Sequence, residues 1–172
     1  EHQEWFWWPR QRELAGAWLE AHAAQGHNTY VRQCLFSQCR GKKQYALPSH
    51  TLWRDDVKDP RTAFSWLLET SEGNYQAFIK LDRPATTDER QRMMTAWRNA
   101  NADSDDCSAD PVHFVRVVGG HNRKRRGDWV VRYAGRTERV YCADRLLTRC
   151  STAVEGKHTS PAITLDRKAQ TY

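Results

Sequence analysis

Charged groups suited to phosphate and to a divalent cation gather in separate stretches of this chain. In TLWRDDVKDP, Thr51 to Pro60, Asp55 and Asp56 stand side by side after an apolar run. A second acidic segment, DSDD, covers Asp103 to Asp106, and two basic segments, RGKK and NRKRR, cover Arg40 to Lys43 and Asn122 to Arg126. Carboxylates are hard oxygen donors that suit Mg²⁺ or Mn²⁺, and guanidinium and ammonium groups suit phosphate oxygens. Phosphate-binding loops around an acidic metal centre would segregate charge in this way, and so would solvated turns. The doublet poses a geometric problem of its own. Successive side chains on a strand point to opposite faces, so Asp55 and Asp56 can share a site only if the strand ends or bulges there.

The elements that must position these groups follow from periodicity. RELAGAWLEAHAAQG sets Leu14, Ala17, Trp18 and Ala21 on one helical face, expected to pack on the core, and stops at Gly26. HNTYVRQCLFSQ alternates and is rich in β-formers, so it reads as a strand, and a second strand is expected around His50 to Arg54. AFSWLLET and YQAFIKLD read as a hairpin across SEGN, where Gly73 and Asn74 tolerate positive φ. In PATTDERQRMMTAWRNA, Thr86 and Glu89 have capping-box spacing, and Met93, Met94, Trp97 and Ala100 line one face. HFVRVV and WVVRYA flank the basic loop GGHNRKRRGD as two more strands, and RVYCADRLLTRC fits strand or helix. The expected fold class is α+β, an antiparallel strand-rich sheet with packed helices, with residues 1–150 as one domain and 151–172 as a loosely packed tail.

Composition excludes several classes. The 172 residues carry 27 Lys and Arg against 21 Asp and Glu, a net charge of +6, which favours a nucleic-acid partner only modestly. No stretch approaches a membrane span. The chain begins at Glu1 without a basic-then-apolar leader, so a fragment with no sign of secretion is expected. The five cysteines lack a C-x-x-C pair and read as reduced thiols of a cytoplasmic protein; a zinc site on Cys34 and Cys39 wants a second soft pair with suitable spacing. No P-loop and no G-x-G-x-x-G occurs, so side chains and a metal would have to hold any nucleotide.

Taken in order, GHNTYVR, WRDDV, ETSEGNYQAFIKL and DDCSADPVHFVRVVGGHNRK make the stretch from Gly26 to Lys124 resemble the RepB-type plasmid replication primases. These are a branch of the archaeo-eukaryotic primase superfamily, also called primase-polymerases. The resemblance implies an RRM-like catalytic core in which Asp55, Asp56 and Asp105 bind two Mg²⁺ or Mn²⁺ ions. In a bare reading of the acidic loop, Asp103, Asp106 or Asp110 could replace Asp105; spacing to Ser108 within the motif favours Asp105. The superfamily more commonly separates the two acids by one residue, so the adjacent doublet implies a bulge and leaves the main ligand of the two open. The resemblance gives Ser71 and Gln76 hydrogen bonds to the incoming nucleotide, Gln76 standing where the broader superfamily has a His. It also points to Arg116, Asn122 and Lys124, with His113 assisting, as triphosphate or template contacts.

The activity so implied is a DNA primase making short primers on single-stranded DNA from nucleoside triphosphates, in replication of a plasmid or other mobile element. Lys42, Lys43, Arg123, Arg125 and Arg126 are the expected grip on the nucleic-acid backbone. A monomer is expected, and a replicative helicase is left open as a further partner. The alternative is a catalytically idle single-stranded-DNA or origin-binding domain on the same fold. A nicking initiator would want two His separated by one residue, and no H-x-H occurs.

Overall fold

The computed structural model describes residues 3–59, 64–100, 106–124 and 127–155. Its centre is a sheet built from β2 (Ser49–Val57), β3 (Trp66–Ser71), β4 (Asn74–Ala85) and β8 (Arg132–Arg136), in the order β2-β4-β3-β8. All three pairings are antiparallel. The sheet is antiparallel as expected, and the two-residue β9 (Val140–Tyr141) joins β4 in parallel at Lys80↔Val140. Beside this sheet lie two short antiparallel ladders. One pairs β1 (Tyr30–Arg32) with β5 (Phe114–Arg116), and the other pairs β6 (His121–Asn122) with β7 (Trp129–Val130).

Register assigns the two faces. Leu52↔Ile79, Arg54↔Ala77 and Leu67↔Ala77 put these residues on one face, and the Arg54 guanidinium lies 5.8 Å from the Trp97 ring of α2 (Thr87–Asn99). That face packs on the apolar stripe Met93, Met94 and Trp97, all buried. Each fully buried side chain of this size contributes about 1.5–3 kcal/mol, so this interface is a principal source of stability. The other face carries Trp53, Phe78, Trp66, Gln76 and Lys80, by Trp53↔Phe78, Trp66↔Phe78 and strand alternation.

α2 starts where its sequence says. Thr86 Oγ1 accepts from Glu89 N at 3.3 Å and Glu89 Oε2 accepts from Thr86 N at 2.8 Å, a complete capping box. The hairpin turn between β3 and β4 is also as expected at Gly73, with φ of 64°. Asn74 does not take positive φ; it pairs with Ser71 and uses its side chain elsewhere.

α1 (Arg12–Ala24) forms as expected but its face does not meet the core: none of its residues is buried and Leu14 is 56% exposed. Trp18 instead contacts Phe6 and His22. An apolar period shows that a helix is amphipathic without showing what it meets. The strand expected over HNTYVRQCLFSQ contracts to Tyr30–Arg32. The ambiguous segment is both things in turn, β9 and then α3 (Ala143–Glu155), which runs through position 150 without a break. The start of α3 is held by Asp82, whose Oδ1 accepts from Ala143 N at 2.9 Å. Among the described residues no helix is long and apolar enough to cross a membrane.

Candidate active site

The acid doublet sits on a β-bulge. Arg54 pairs with Ala77 and Val57 with Tyr75, so Asp55 and Asp56 together oppose the single residue Gln76. Asp56 has φ of 54°, and no other described non-glycine residue has positive φ. Local hydrogen bonds fix this shape. Asp55 Oδ1 accepts from Asp56 N at 2.9 Å, and Asp55 N donates to Ser108 Oγ at 2.8 Å. Ser108 is buried in the 3₁₀ turn Asp106–Ala109, so the end of the acidic loop is docked on the doublet.

The hairpin closes on the same point. Asn74 Nδ2 donates to Asp56 Oδ1 at 2.6 Å, and Asn74 Oδ1 accepts from Lys58 Nζ at 2.9 Å. Lys58 Nζ is also 4.0 Å from Asp56 Oδ1. Both acids are half-buried. With the Asp55 carboxylate held by the Asp56 N–H and the Asp56 carboxylate by Asn74, two hard oxygen donors suit a divalent cation, although the Lys58 ammonium competes for Asp56. Asp105 lies outside the described residues, and among those described no group of three or more His, Cys, Asp or Glu is placed to hold a metal ion.

Directly across the bulge, buried Gln76 accepts through Oε1 from Arg116 N at 3.1 Å and thereby ties β5 to β4. The Arg116 guanidinium lies 4.8 Å from the Tyr30 ring and donates to His121 O at 3.2 Å. Asn122 Nδ2 donates to Thr70 O at 2.5 Å, beside Ser71, and Asn122 Oδ1 accepts from Lys124 N at 3.3 Å. Asp55, Asp56, Ser71, Gln76, Arg116 and Asn122 therefore belong to one connected cluster. The Lys124 side chain is exposed at its edge.

The remaining expected residues are placed differently. His113 stacks on Trp53 with ring centroids 5.5 Å apart, and its Nδ1 is 3.9 Å from Asp110 Oδ2. Lys43 donates to Gln91 Oε1 at 2.7 Å and is 3.8 Å from Asp110, while Lys42 is exposed. Arg123 is fixed through its main chain to Asn28 Oδ1 at 3.0 Å and through its side chain to Asp128 at 3.5 Å. Arg125 and Arg126 lie outside the described residues.

Sequence reasoning missed Lys58, Asn74 and Arg90. Lys58 stands two residues after Asp56, close enough to have been weighed as its partner. Arg90 falls on the helical face of Met93, Met94 and Trp97, which marks it as inward-facing. It is fully buried, donates to Thr51 O at 3.0 Å and to Gln33 Oε1 at 2.9 Å, and burial lowers its pKa.

An α+β sheet of this kind, covered by α2 on one face, is the fold of primase catalytic domains. The chain matches the crystal structure of primase RepB′ with a TM-score of 0.64 and 23% identity over 87% of this chain and 52% of that one. The catalytic domain of RepB′ solved with initiator DNA gives the same score and identity, with 78% of that chain covered. The AEP domain of the cyanophage S-2L primase-polymerase matches with a TM-score of 0.63 and 15% identity, over 82% of this chain and 84% of that one. The chain belongs to the RepB DNA-primase N-terminal domain family, whose model matches residues 46–169. It is 31% identical to mobilization protein A of Escherichia coli over 107 residues, 62% of this chain and 15% of that protein. The chain thus spans about half of the RepB′ chain and a small part of the mobilization protein.

Proposed function

We propose that this domain is the catalytic part of a DNA primase. It joins nucleotides on a single-stranded DNA template by two-metal nucleotidyl transfer, in the replication of a plasmid or other mobile element. The observation that carries this reading is the bulge, which puts two adjacent carboxylates opposite Gln76 and ties them to Asn74 and Ser108. Asp105, the third expected carboxylate, stands three residues before Ser108 in the sequence.

A divalent ion bound by these acids would offset charge on the triphosphate and raise the nucleophilicity of the primer 3′ hydroxyl. The chain's own contribution is alignment. Asp55 and Asp56 would hold the Mg²⁺ or Mn²⁺, and Gln76 holds Arg116 in register by accepting from its main-chain N–H. The Arg116 guanidinium, placed over Tyr30, supplies positive charge to phosphate oxygens. Ser71 and Asn122 flank the hairpin where the nucleotide enters, and Lys124 lies at the rim.

The test supplies a single-stranded template, nucleoside triphosphates and Mg²⁺ or Mn²⁺. Short products are expected from the native chain and none when Asp55 and Asp56 are both changed to Ala; normal synthesis by that variant refutes the reading. One observation favours the idle DNA-binding alternative, namely that Lys58 partly neutralises Asp56. Template binding that persists in EDTA, with no product under any nucleotide condition, would establish it.

A further inference from the structure

Four residues along β4 from Gln76, the same sheet face opens into a second site. A cleft of about 360 Å³ lies beside Trp66 and Lys80, and its far wall is the end of β8 and the segment leading to β9. Its walls are fixed from behind. Buried Ser65 donates through Oγ to Arg139 O and accepts from Lys80 N, both at 2.8 Å, and Thr137 donates its N–H to Ser65 O at 2.8 Å and its hydroxyl to Phe64 O at 2.7 Å. The cleft is therefore part of the sheet's own hydrogen-bonding frame.

Two aromatic rings and three cations line it. Trp66 is held by stacking on Phe78, with centroids 5.4 Å apart and planes 9° apart. Tyr133, on the edge strand β8, is 52% exposed. Lys80, Arg136 and Arg139 are exposed cations, set against the single carboxylate Glu138. Glu138 pairs with Arg136 at 3.1 Å, but with side chains 66% and 85% exposed this ion pair holds Arg136 only weakly.

Register connects the cleft to the acid doublet. Gln76, Phe78 and Lys80 alternate onto one face of β4; Leu68 and Trp66 match Gln76 and Phe78 on β3, and Tyr133 and Arg136 match Leu68 and Trp66 on β8. Four strand residues cover about 13 Å. Gln76, Leu68 and Phe78 are buried between the two, so a polyanion reaching from the doublet to the rings and cations of the cleft passes over the elements that cover this part of the face. An exposed ring, Tyr133, beside half-buried Trp66 and interleaved with cations suits an unpaired base and its phosphates, whereas a duplex hides its base faces.

We propose that the Trp66–Tyr133 cleft docks single-stranded DNA, with Tyr133 stacking on a base and Lys80, Arg136 and Arg139 meeting the backbone. The assignment of that strand as the template rests on the function proposed above; the binding itself does not. The experiment titrates the chain into a fluorescently labelled oligothymidylate in EDTA, without nucleotides, over a series of salt concentrations. Tyr133→Ala should weaken binding by about fivefold or more, the loss of one stacked base, and Tyr133→Phe should bind like the native chain. Arg136→Gln combined with Arg139→Gln should flatten the slope of log affinity against log salt by about 1.4. Glu138→Gln should tighten binding.

Absence of binding by the native chain, or unchanged affinity in Tyr133→Ala with an unchanged slope in the double arginine variant, overturns the proposal. The two readings fail separately. Binding that depends on the cleft in a chain with no polymerase activity keeps the cleft and removes the primase. Synthesis that depends on Asp55 and Asp56, with binding indifferent to the cleft variants, does the reverse.

Discussion

Replacing Asp56 by Asn, Gly and Ala separates the shape of the bulge from the charge it carries. At φ of 54° Asp56 is in the left-handed region, which costs a residue with a Cβ about 1–2 kcal/mol and is tolerated best by Gly, Asn and Asp. Its Oδ1 accepts the 2.6 Å bond from Asn74, a bond to a charged group that contributes about 1.5–3 kcal/mol. Asp56→Asn keeps both the backbone tolerance and an acceptor oxygen, so it should cost less than about 1.5 kcal/mol, the part due to charge. Asp56→Gly and Asp56→Ala both lose the bond, but only Gly relieves the backbone. Gly should therefore be more stable than Ala by about 1 kcal/mol, the reverse of the order in an ordinary strand, where Gly is the worse by roughly 0.5–1 kcal/mol. Urea unfolding measures this directly through the midpoints, provided the three variants share one slope. All three should lose primer synthesis by a factor of about 100 or more, because none can bind a cation through a second carboxylate. Ala more stable than Gly would refute the bulge geometry, and normal synthesis by Asp56→Asn would refute the ligand role.

Other expectations follow from single contacts. Gln76→Leu strands the Arg116 N–H that Oε1 now accepts, so it should cost about 1–3 kcal/mol in urea unfolding; a smaller loss would mean that this bond does not hold β5. Lys58→Ala removes an ammonium 4.0 Å from Asp56, worth about 1 kcal/mol at that distance in water, so half-maximal synthesis should need about fivefold less Mn²⁺; an unchanged requirement would refute competition between Lys58 and the metal. The Glu89 carboxyl is held down to about 2, chiefly by its hydrogen bond from Arg83 and then by the Thr86 N–H. A depressed carboxyl stabilises the fold above its ordinary value of 4.5 and loses that contribution as pH falls towards 2. Thermal melts between pH 5 and 2.5 should therefore fall more steeply for the native chain than for Glu89→Gln, and parallel curves would contradict the coupling.

What could be read from the sequence was what is local. The capping box of Thr86 and Glu89 and the left-handed Gly73 depend on neighbours a few positions away, and both are present. The bulge was legible for a different reason: two adjacent acids conflict with strand alternation, and a conflict of that kind demands a distortion. The partners of the doublet were not legible, because Asn74 and Ser108 reach it only when a hairpin and a loop fold back over 18 and 53 residues of chain. The same limit explains α1. Its periodicity is genuine, but nothing in residues 12–24 records that the Phe6 ring, rather than the sheet, would meet Trp18.

The bulge also explains why the acids are adjacent. Without it, alternation would carry Asp56 to the face of Arg54 and Ala77, against α2, where burying a carboxylate costs several kcal/mol unless it is fully paired. It would also turn Val57 away from that core. The extra residue resets the phase: Arg54 and Val57, three positions apart, both pair with odd-numbered residues of β4, Ala77 and Tyr75, and both are buried. Asp56 is left between them in a left-handed conformation, bonded to Asn74, which shares the alternation of Gln76 and not that of the core. About 1–2 kcal/mol of backbone strain thus replaces a larger desolvation cost and brings Asp56 to the side of the sheet that holds Gln76. Two acids separated by one residue would reach the same side of a regular strand without distortion, so here the left-handed residue performs the work that spacing performs there.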